Sequence, residues 1–375
     1  MKFQLVATMA AGLEAVTARE LKDMGYQTRT ENGRVYFEGD ERDIVRTNVW
    51  LRTADRVRIV LAEFKALSFE DVFSNVKAIP WADYMPLDAE FPVAGRAVRS
   101  KLHSEPDVQS VTKKAIVESM SETYHRHSRL PESGPKYPLE ISIHNDNALM
   151  LLDTTGDSLF KRGYRVAKGP APLKENFAAA LVMLTNWRDY KPFYDPTTGS
   201  GTIAIEAALI GRNMAPGIRR SFAFEGFDFM PKNLLDDVRA EARSQEKDVD
   251  LDILAGDINQ DMIEIAKVNA QEAGVLHSIE FKQLALQDFR TDKENGVIVA
   301  NPPYGQRMDN IDDARKIEAD MGKLYRTIPT WSKYILSGDL EFERYYGQRA
   351  TKRRKLYNGA LQTDLFQYWG RRPKK

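Results

Sequence analysis

The stretch Phe193-Tyr-Asp-Pro-Thr-Thr-Gly-Ser-Gly-Thr-Ile-Ala-Ile-Glu206 decides how the second half of this chain folds. Two aromatic residues end on an acid, Asp195; a turn with two glycines follows; an apolar helical run begins near Thr202. The pattern is a strand running into a glycine-rich turn and then a helix. Gly199 and Gly201 let the backbone approach a ligand with no side chain in the way, and the start of the helix presents free N–H groups. Outward from this segment, short apolar strands alternate with helices. Strands are expected around 192–194, 251–255, 279–283 and 296–300, and helices from Thr202 and over 260–273. Such alternation predicts an α/β domain with a mostly parallel sheet over 166–375.

The first half has a different order. A strand over 3–8, a helix over 12–24, a hairpin around Asn32-Gly33, a helix near 43–51 and a strand over 57–64 give the βαββαβ order of a ferredoxin-like α+β domain, residues 1–64. A second α/β unit is expected over 65–165. Ser68 with Asp71 caps a short helix. A strand over 91–99 is followed by a long helix over 107–127 with Asp107 as its N-cap, and strands over 139–144 and 148–153 complete the unit. Gly169-Pro-Ala-Pro172 suits a linker, an apolar helix is expected over 174–187, and 212–250 is an insertion rich in aromatics and charge.

Composition narrows the chemistry. The 375 residues contain no cysteine, which rules out disulfides and thiolate metal sites and fits a cytoplasmic home. Five scattered histidines argue against a histidine metal centre, so no metal is expected. No segment approaches the roughly 20 apolar residues of a membrane span, and the N-terminus lacks the apolar run of a signal peptide. Lys+Arg and Asp+Glu both number 54, yet 344–375 holds ten basic residues and one acidic one. Charge segregated in this way can orient a polyanion although the total is zero.

The glycine turn has neither the GxGxxG spacing of a dinucleotide loop nor the GxxxxGK[ST] spacing of a phosphate loop, which disfavours a nicotinamide dehydrogenase. Asp195 would repel phosphate and attract a cation. A ligand with an α-amino group, a sulfonium and no phosphate suits it, namely S-adenosylmethionine. In an open α/β sheet, ligands sit beyond the carboxyl ends of the strands. Asp257, 62 residues after Asp195, can accept from ribose hydroxyls, and Asp288 after the next strand from an adenine amine. The cofactor-binding set is therefore Asp195, Pro196, Thr198, Gly199, Ser200, Gly201, Asp257, Ile258 and Asp288. After the strand 296–300 comes Asn301-Pro302-Pro303-Tyr304. The prolines end the ladder and fix φ on both sides of the turn. The Asn301 carbonyl and the neighbouring backbone carbonyl can then accept two hydrogen bonds from a flat amine while Tyr304 stacks on its ring. Lys161-Arg162-Gly163-Tyr164-Arg165 is a compact basic and aromatic cluster of the kind that contacts RNA, and Lys113 and Lys114 decorate the long helix.

Together, Asp195–Ala208 and Asn301-Pro-Pro-Tyr-Gly305 resemble the S-adenosylmethionine-dependent methyltransferases of Rossmann-like fold that modify exocyclic amines. The wider chain is similar to one branch, the bacterial THUMP-domain 23S ribosomal RNA guanine-N2 methyltransferases. Leu151–Arg165 matches that family's THUMP-to-catalytic junction, and Pro172-Leu-Lys-Glu-Asn176 and Leu356-Tyr-Asn-Gly359 also fit. Thr198 departs from the family, where relatives often carry Cys, a small-for-small change. The second methyltransferase domain fused in some relatives is not in this sequence. The resemblance implies that Asp195, Gly199 and Gly201 frame the methionine end of the cofactor, that Asp257 holds the ribose and Asp288 the adenine, and that the first half grips ribosomal RNA. The tetrapeptide is shared with enzymes acting on adenine in DNA or glutamine in proteins; the THUMP-like half favours RNA. A non-catalytic assembly factor of the same fold is disfavoured by the intact cofactor turn and clamp.

Overall fold

Two seven-stranded sheets carry the chain. The computed structural model describes residues 1–166, 173–303, 311–359 and 361–371. In the first sheet β1 (Phe3–Thr8), α1 (Glu14–Asp23), β2 (Arg29–Glu31), β3 (Arg34–Gly39), α2 (Glu41–Trp50) and β4 (Arg56–Lys65) follow the expected order, with strands lying β2-β3-β1-β4. Then come α3 (Phe69–Lys77), β5 (Val93–Val98), α4 (Glu105–Thr123), β6 (Leu139–His144) and β7 (Asn147–Asp153). The sequence pattern divides this region into two units, but their sheet is continuous. β4 pairs with β1 on one edge and antiparallel with β7 on the other, from Arg58↔Asp153 to Lys65↔Asn147. At ten residues it is long enough to serve both. Ser68 and Asp71 form the expected capping box on α3. The cap of α4 differs: Ser104, not Asp107, is the N-cap and accepts the N–H of Asp107, because Glu105-Pro106 starts the helix two residues earlier. The sheet also curls. Arg34 on β3 reaches Ser142 on β6 at 2.7 Å across the face that lacks helices, burying Val6, Tyr36, Leu149 and Leu151 beneath.

The second sheet runs β10-β9-β8-β11-β12-β14-β13. Its strands are β8 (Phe193–Asp195), β9 (Ile253–Asp257), β10 (Glu280–Gln283), β11 (Val297–Ala300), β12 (Ser332–Ser337), β13 (Lys352–Asn358) and β14 (Leu361–Tyr368). The first five are parallel in space, and β14 is antiparallel to both of its neighbours. α5 (Glu175–Met183) precedes them, and between them lie α6 (Thr202–Gly211), α7 (Leu234–Ser244), α8 (Gln260–Ala273), α9 (Ile311–Arg326) and α10 (Phe342–Tyr346). Helices on both faces bury β11 completely, which is why Val-Ile-Val-Ala reads as a continuous apolar run rather than an alternating one. Among the described residues no helix is long and apolar enough to cross a membrane.

The two halves are joined by buried polar groups. Arg162, 4% exposed, points its guanidinium at the Leu159 carbonyl (2.6 Å), the Arg52 carbonyl and, at 3.5 Å, the Glu206 carboxylate on α6. The Tyr164 hydroxyl donates to the same carboxylate at 3.1 Å. Arg52 donates to the Met214 carbonyl at 2.8 Å, and Asn176 on α5 to Asp55 at 3.0 Å. The insertion 212–250 is the third tie: Phe227 stacks on Tyr137 at 4.7 Å, and α7 packs on α2. This corrects part of the expected RNA contact. Arg162 is enclosed, and Arg165 is turned inward to Glu175 (3.2 Å), Thr202 (3.0 Å) and the Leu173 carbonyl (2.7 Å). A basic cluster in sequence has become an internal ion network because its carboxylates arrive from α5 and α6.

Removing one partner of a buried ion pair leaves the other uncompensated. Arg162→Met is expected to lower stability by about 3–5 kcal/mol in urea denaturation. A variant of unchanged stability with weaker RNA affinity would instead restore Arg162 as a surface contact.

Candidate active site

Asp195 ends β8 and is fully buried. One carboxylate oxygen accepts the Thr198 hydroxyl at 2.8 Å; among the described residues the other, Oδ1, has no hydrogen-bond partner, and neither does the Thr197 hydroxyl beside it. Burial pushes the Asp195 carboxyl up to about 7, against the opposing pull of the Thr198 hydrogen bond. The turn that follows is held on three sides. The Thr198 N–H donates to the Gly256 carbonyl at 2.9 Å, the Gly199 N–H to Asp257 Oδ2 at 2.9 Å, and Asn269 on α8 to the Ser200 carbonyl at 3.0 Å. The two glycines have different tasks. Gly201 (φ +86°) starts α6 where a Cβ would come within 2.9 Å of Ala266, so it sets how closely α6 packs on α8. At Gly199 (φ +51°) a Cβ would meet nothing within 4 Å, so the loop faces open space there. Pro196, Thr198 and Ser200 are buried in the turn and shape it.

Asp257 ends β9. Besides Gly199 it accepts the Asn259 N–H at 3.0 Å, so its two oxygens brace the loop and its own turn, each keeping a lone pair for a further donor. Ile258 beside it is 70% exposed, an apolar surface at the end of the sheet. Asp288 closes a short 3-10 turn after β10 and is exposed.

β11 lies directly beside β8, with Val297 opposite Phe193 and Ile298 opposite Tyr194. Asp195 is therefore level with Val299, and Asn301 stands two residues, about 7 Å, further along in the same direction. The faces agree as well. Phe193, Val297 and Val299 belong to the main core, whereas Tyr194, Ile298 and Ala300 belong to the cluster under α9. Alternation along the strands then puts Asp195 and Asn301 on one side of the sheet at one end. Asn301 Oδ1 is buried with no hydrogen-bond partner among the described residues, and Pro302 behind it is buried. Tyr304 lies outside the described residues. Orphan acceptors on Asp195 and Asn301, with open space before Gly199, fit a cationic ligand at the first and an amine at the second.

The expected RNA-contacting residues stand elsewhere. Lys161 is exposed and paired with Asp157 at 2.9 Å. On α4, Lys113 pairs with Glu132 at 2.8 Å, and Lys114 is open to solvent with Glu118 at 3.9 Å. Three contributors to the site escape sequence reading: Thr197, Gly256 and Asn269. Asn269 has a signal, a polar residue on the buried stripe of α8.

The chain is similar to known proteins along its length. Residues 162–367 match the model of the RMKL-like methyltransferase domain, 4–58 the RlmL ferredoxin-like domain and 66–153 the THUMP domain. A Bacillus subtilis (strain 168) protein provisionally named RNA methyltransferase YpsC is 47% identical, covering 100% of this chain and 98% of its own. A Syntrophotalea carbinolica protein named ribosomal RNA large subunit methyltransferase K/L is 33% identical over 96% of this chain, which spans 53% of that relative. Among solved structures, SMU.472, a provisionally assigned methyltransferase complexed with SAH, superposes with a TM-score of 0.95 at 48% identity, covering 100% of this chain and 99% of that one. A Listeria monocytogenes protein described as a predicted N6-adenine-specific DNA methylase superposes with a TM-score of 0.94 at 53% identity, covering 99% and 97%.

The raised Asp195 carboxyl gives a pH prediction. A carboxyl whose value rises on folding favours the fold while protonated; that contribution is full below about 3.8 and is lost as pH rises through about 7. A cationic ligand favours the carboxylate and must displace the proton. S-adenosylmethionine affinity is expected to rise up to about tenfold per pH unit between 5 and 7 and then level off, with proton release in calorimetry. A flat profile would remove Asp195 from the cationic end of the ligand.

Proposed function

The chain belongs to the RMKL-like methyltransferase family, and from that premise we propose that it methylates the exocyclic N2 amine of a guanine in 23S ribosomal RNA. As a member it is an S-adenosylmethionine-dependent methyltransferase acting on RNA. The observation that supports an amine as acceptor is the buried, unpartnered Asn301 Oδ1, one strand away from Asp195 and on the same face. The THUMP domain and the relative named for large-subunit ribosomal RNA support that RNA as substrate.

S-adenosylmethionine, when bound, supplies a methyl group on a cationic sulfur that departs as a neutral sulfide. The residues do the rest. Asp195, Gly199 and Gly201 would frame the methionine end, Asp257 would accept from the ribose, Ile258 would offer apolar surface to the adenine and Asp288 would accept from its amine. A guanine amine is a weak nucleophile because its lone pair is delocalised into the ring. Asn301 Oδ1 and the Pro302 carbonyl would accept its two hydrogens and favour a pyramidal nitrogen with its lone pair free to attack. Pro303 stiffens the turn, and Tyr304 stacks on the base. Positioning supplies most of the acceleration. As the N–C bond forms the nitrogen becomes a strong acid and gives its proton to water, so no basic side chain is required early. The base reaches this slot only after leaving any helix.

Mapping of modified nucleosides by mass spectrometry in ribosomal RNA, with and without the gene, is expected to show one N2-methylguanosine lost from 23S RNA. Loss of N6-methyladenine, or no change, would overturn the substrate. Asn301→Ala is expected to lower transfer by at least about a hundredfold while calorimetric S-adenosylmethionine binding stays within about twofold. Equal loss of both would reassign Asn301 to the cofactor.

A further inference from the structure

The insertion 212–250, to which the reaction above gives no task, closes one end of the first sheet. Its short 3-10 turn, Ala223–Gly226, is tied to the junction: the Ala223 N–H donates to the Thr155 carbonyl at 3.2 Å and the Phe224 N–H to the Thr154 carbonyl at 3.0 Å. On the far side the Asp228 N–H donates to the Tyr137 hydroxyl at 2.9 Å, beside the Phe227–Tyr137 stack. The start of β4, the end of β7 and the starts of β6 and β5 all lie at this end, since Arg58 is opposite Asp153, Leu152 opposite Leu139 and Leu139 opposite Val93. Between the turn and the strands is a cleft of about 700 Å³, room enough for one nucleotide. It lies toward the catalytic end of the second sheet. Asp55, next to Arg56, accepts from Asn176 at the start of α5, and Arg165 joins that start through Glu175 to Thr202, where α6 leaves the glycine turn.

The floor of the cleft is the face of the sheet that lacks helices. Val57 and Ile59 belong to the main core, so Arg56 and Arg58 between and beside them point the other way. Leu139 and Ile141 are likewise in the core, which leaves Glu140 on the open face, with Ala94 opposite it on β5 and Arg96 two residues further along. Arg58 is 8% exposed and donates to Glu140 at 2.9 Å; its Nε is buried with no hydrogen-bond partner among the described residues. Arg56 is paired with Asp153 and the Gly156 carbonyl. Arg96 is exposed and in no ion pair or side-chain hydrogen bond among the described residues. Lys136 meets only Glu90, at 3.7 Å. Four cations, Arg56, Arg58, Arg96 and Lys136, thus stand against three carboxylates, Asp153, Glu140 and Glu90. Burial pulls the Arg58 guanidinium below its ordinary value, and the charges of Arg56 and Arg96 add to this against Glu140 and Asp153. An anion beside Arg58 would relieve that cost and satisfy its idle donor. Pro92, Pro135 and Pro138 give the cleft an apolar wall. Arginine donors facing an apolar wall fit a phosphate followed by an unstacked base.

We propose that this cleft takes one unpaired nucleotide of the substrate RNA, apart from the methylated one, with its phosphate at Arg58 and Arg96 and its base against the proline wall. The proposal rests on the ribosomal RNA reading above. It is tested with an unmodified large-subunit ribosomal RNA transcript in filter binding across a salt series and in methyl transfer. Ala94 and Arg96 are exposed, so both can be changed without opening the core. Ala94→Trp fills the cleft and is expected to weaken RNA binding and raise KM by about tenfold, with kcat at saturating RNA within about twofold of wild type. Arg96→Ala should reduce the salt slope by about 0.7, and Arg96→Lys should keep it. The Kd for S-adenosylhomocysteine and the melting temperature should not move. Unchanged RNA affinity and KM in Ala94→Trp/Arg96→Ala would overturn the proposal, as would loss of S-adenosylhomocysteine binding in step with RNA. Failure of the guanine reading looks different: wild-type protein that binds this transcript and transfers no methyl, with the cleft then judged on RNA affinity alone.

Discussion

The parallel pairing of β8 with β11 is the constraint on which the site depends. Neither strand is long; β8 has three residues and β11 four. Their register nevertheless decides the chemistry, because a one-residue slip would turn Asn301 to the face of α9 and away from Asp195. Burial on both faces holds that register. Phe193 and Val299 lock into the core shared with α5 and α6, and Tyr194, stacked on Phe289 at 4.1 Å, locks into the cluster under α9. With the strands fixed, two short loops that each resemble an ordinary turn become one site.

The site is also stiff for a reason that reaches beyond the sheet. Asn269 and Asp257 brace the glycine turn from α8 and β9. Glu206, one turn into the helix that starts at Gly201, takes Arg162 and Tyr164 from the junction with the N-terminal half. The helix that begins at the glycine turn is therefore the helix that ties the halves together. Arg354 and Gly12 join them again at the sheet's far edge. A shift of the THUMP-bearing half would disturb these contacts, so that half stands at a set distance from Asn301.

Much of this is legible in the amino-acid sequence, and the failures share a cause. The glycine turn, the acids at successive strand ends and the Pro-Pro stop are local patterns, and local patterns survive in sequence. So does the Ser68–Asp71 cap. Arg162 and Arg165 read as surface cations because their partners, Glu206 and Glu175, lie far along the chain or on another element, and a basic run looks the same whether solvated or enclosed. The merging of the two N-terminal units is hidden because β4 shows one strand's pattern while using both edges. Beyond residue 305 the charge of Lys352-Arg-Arg-Lys355 masks a strand and suggests a basic tail. Such charge is what an exposed edge strand carries to discourage pairing with other chains, so it conceals the hairpin while protecting it.

The proposed function requires that the ends of β8 and β11 hold both reactants on one side of the sheet. A crystal structure with S-adenosylhomocysteine and guanosine tests it most directly. The account predicts the ligand's α-amino group beside Asp195 and the guanine amine within hydrogen-bond reach of Asn301 Oδ1, on the same side of the sheet. Guanosine bound elsewhere, with Asn301 turned to the cofactor or to protein alone, would contradict it.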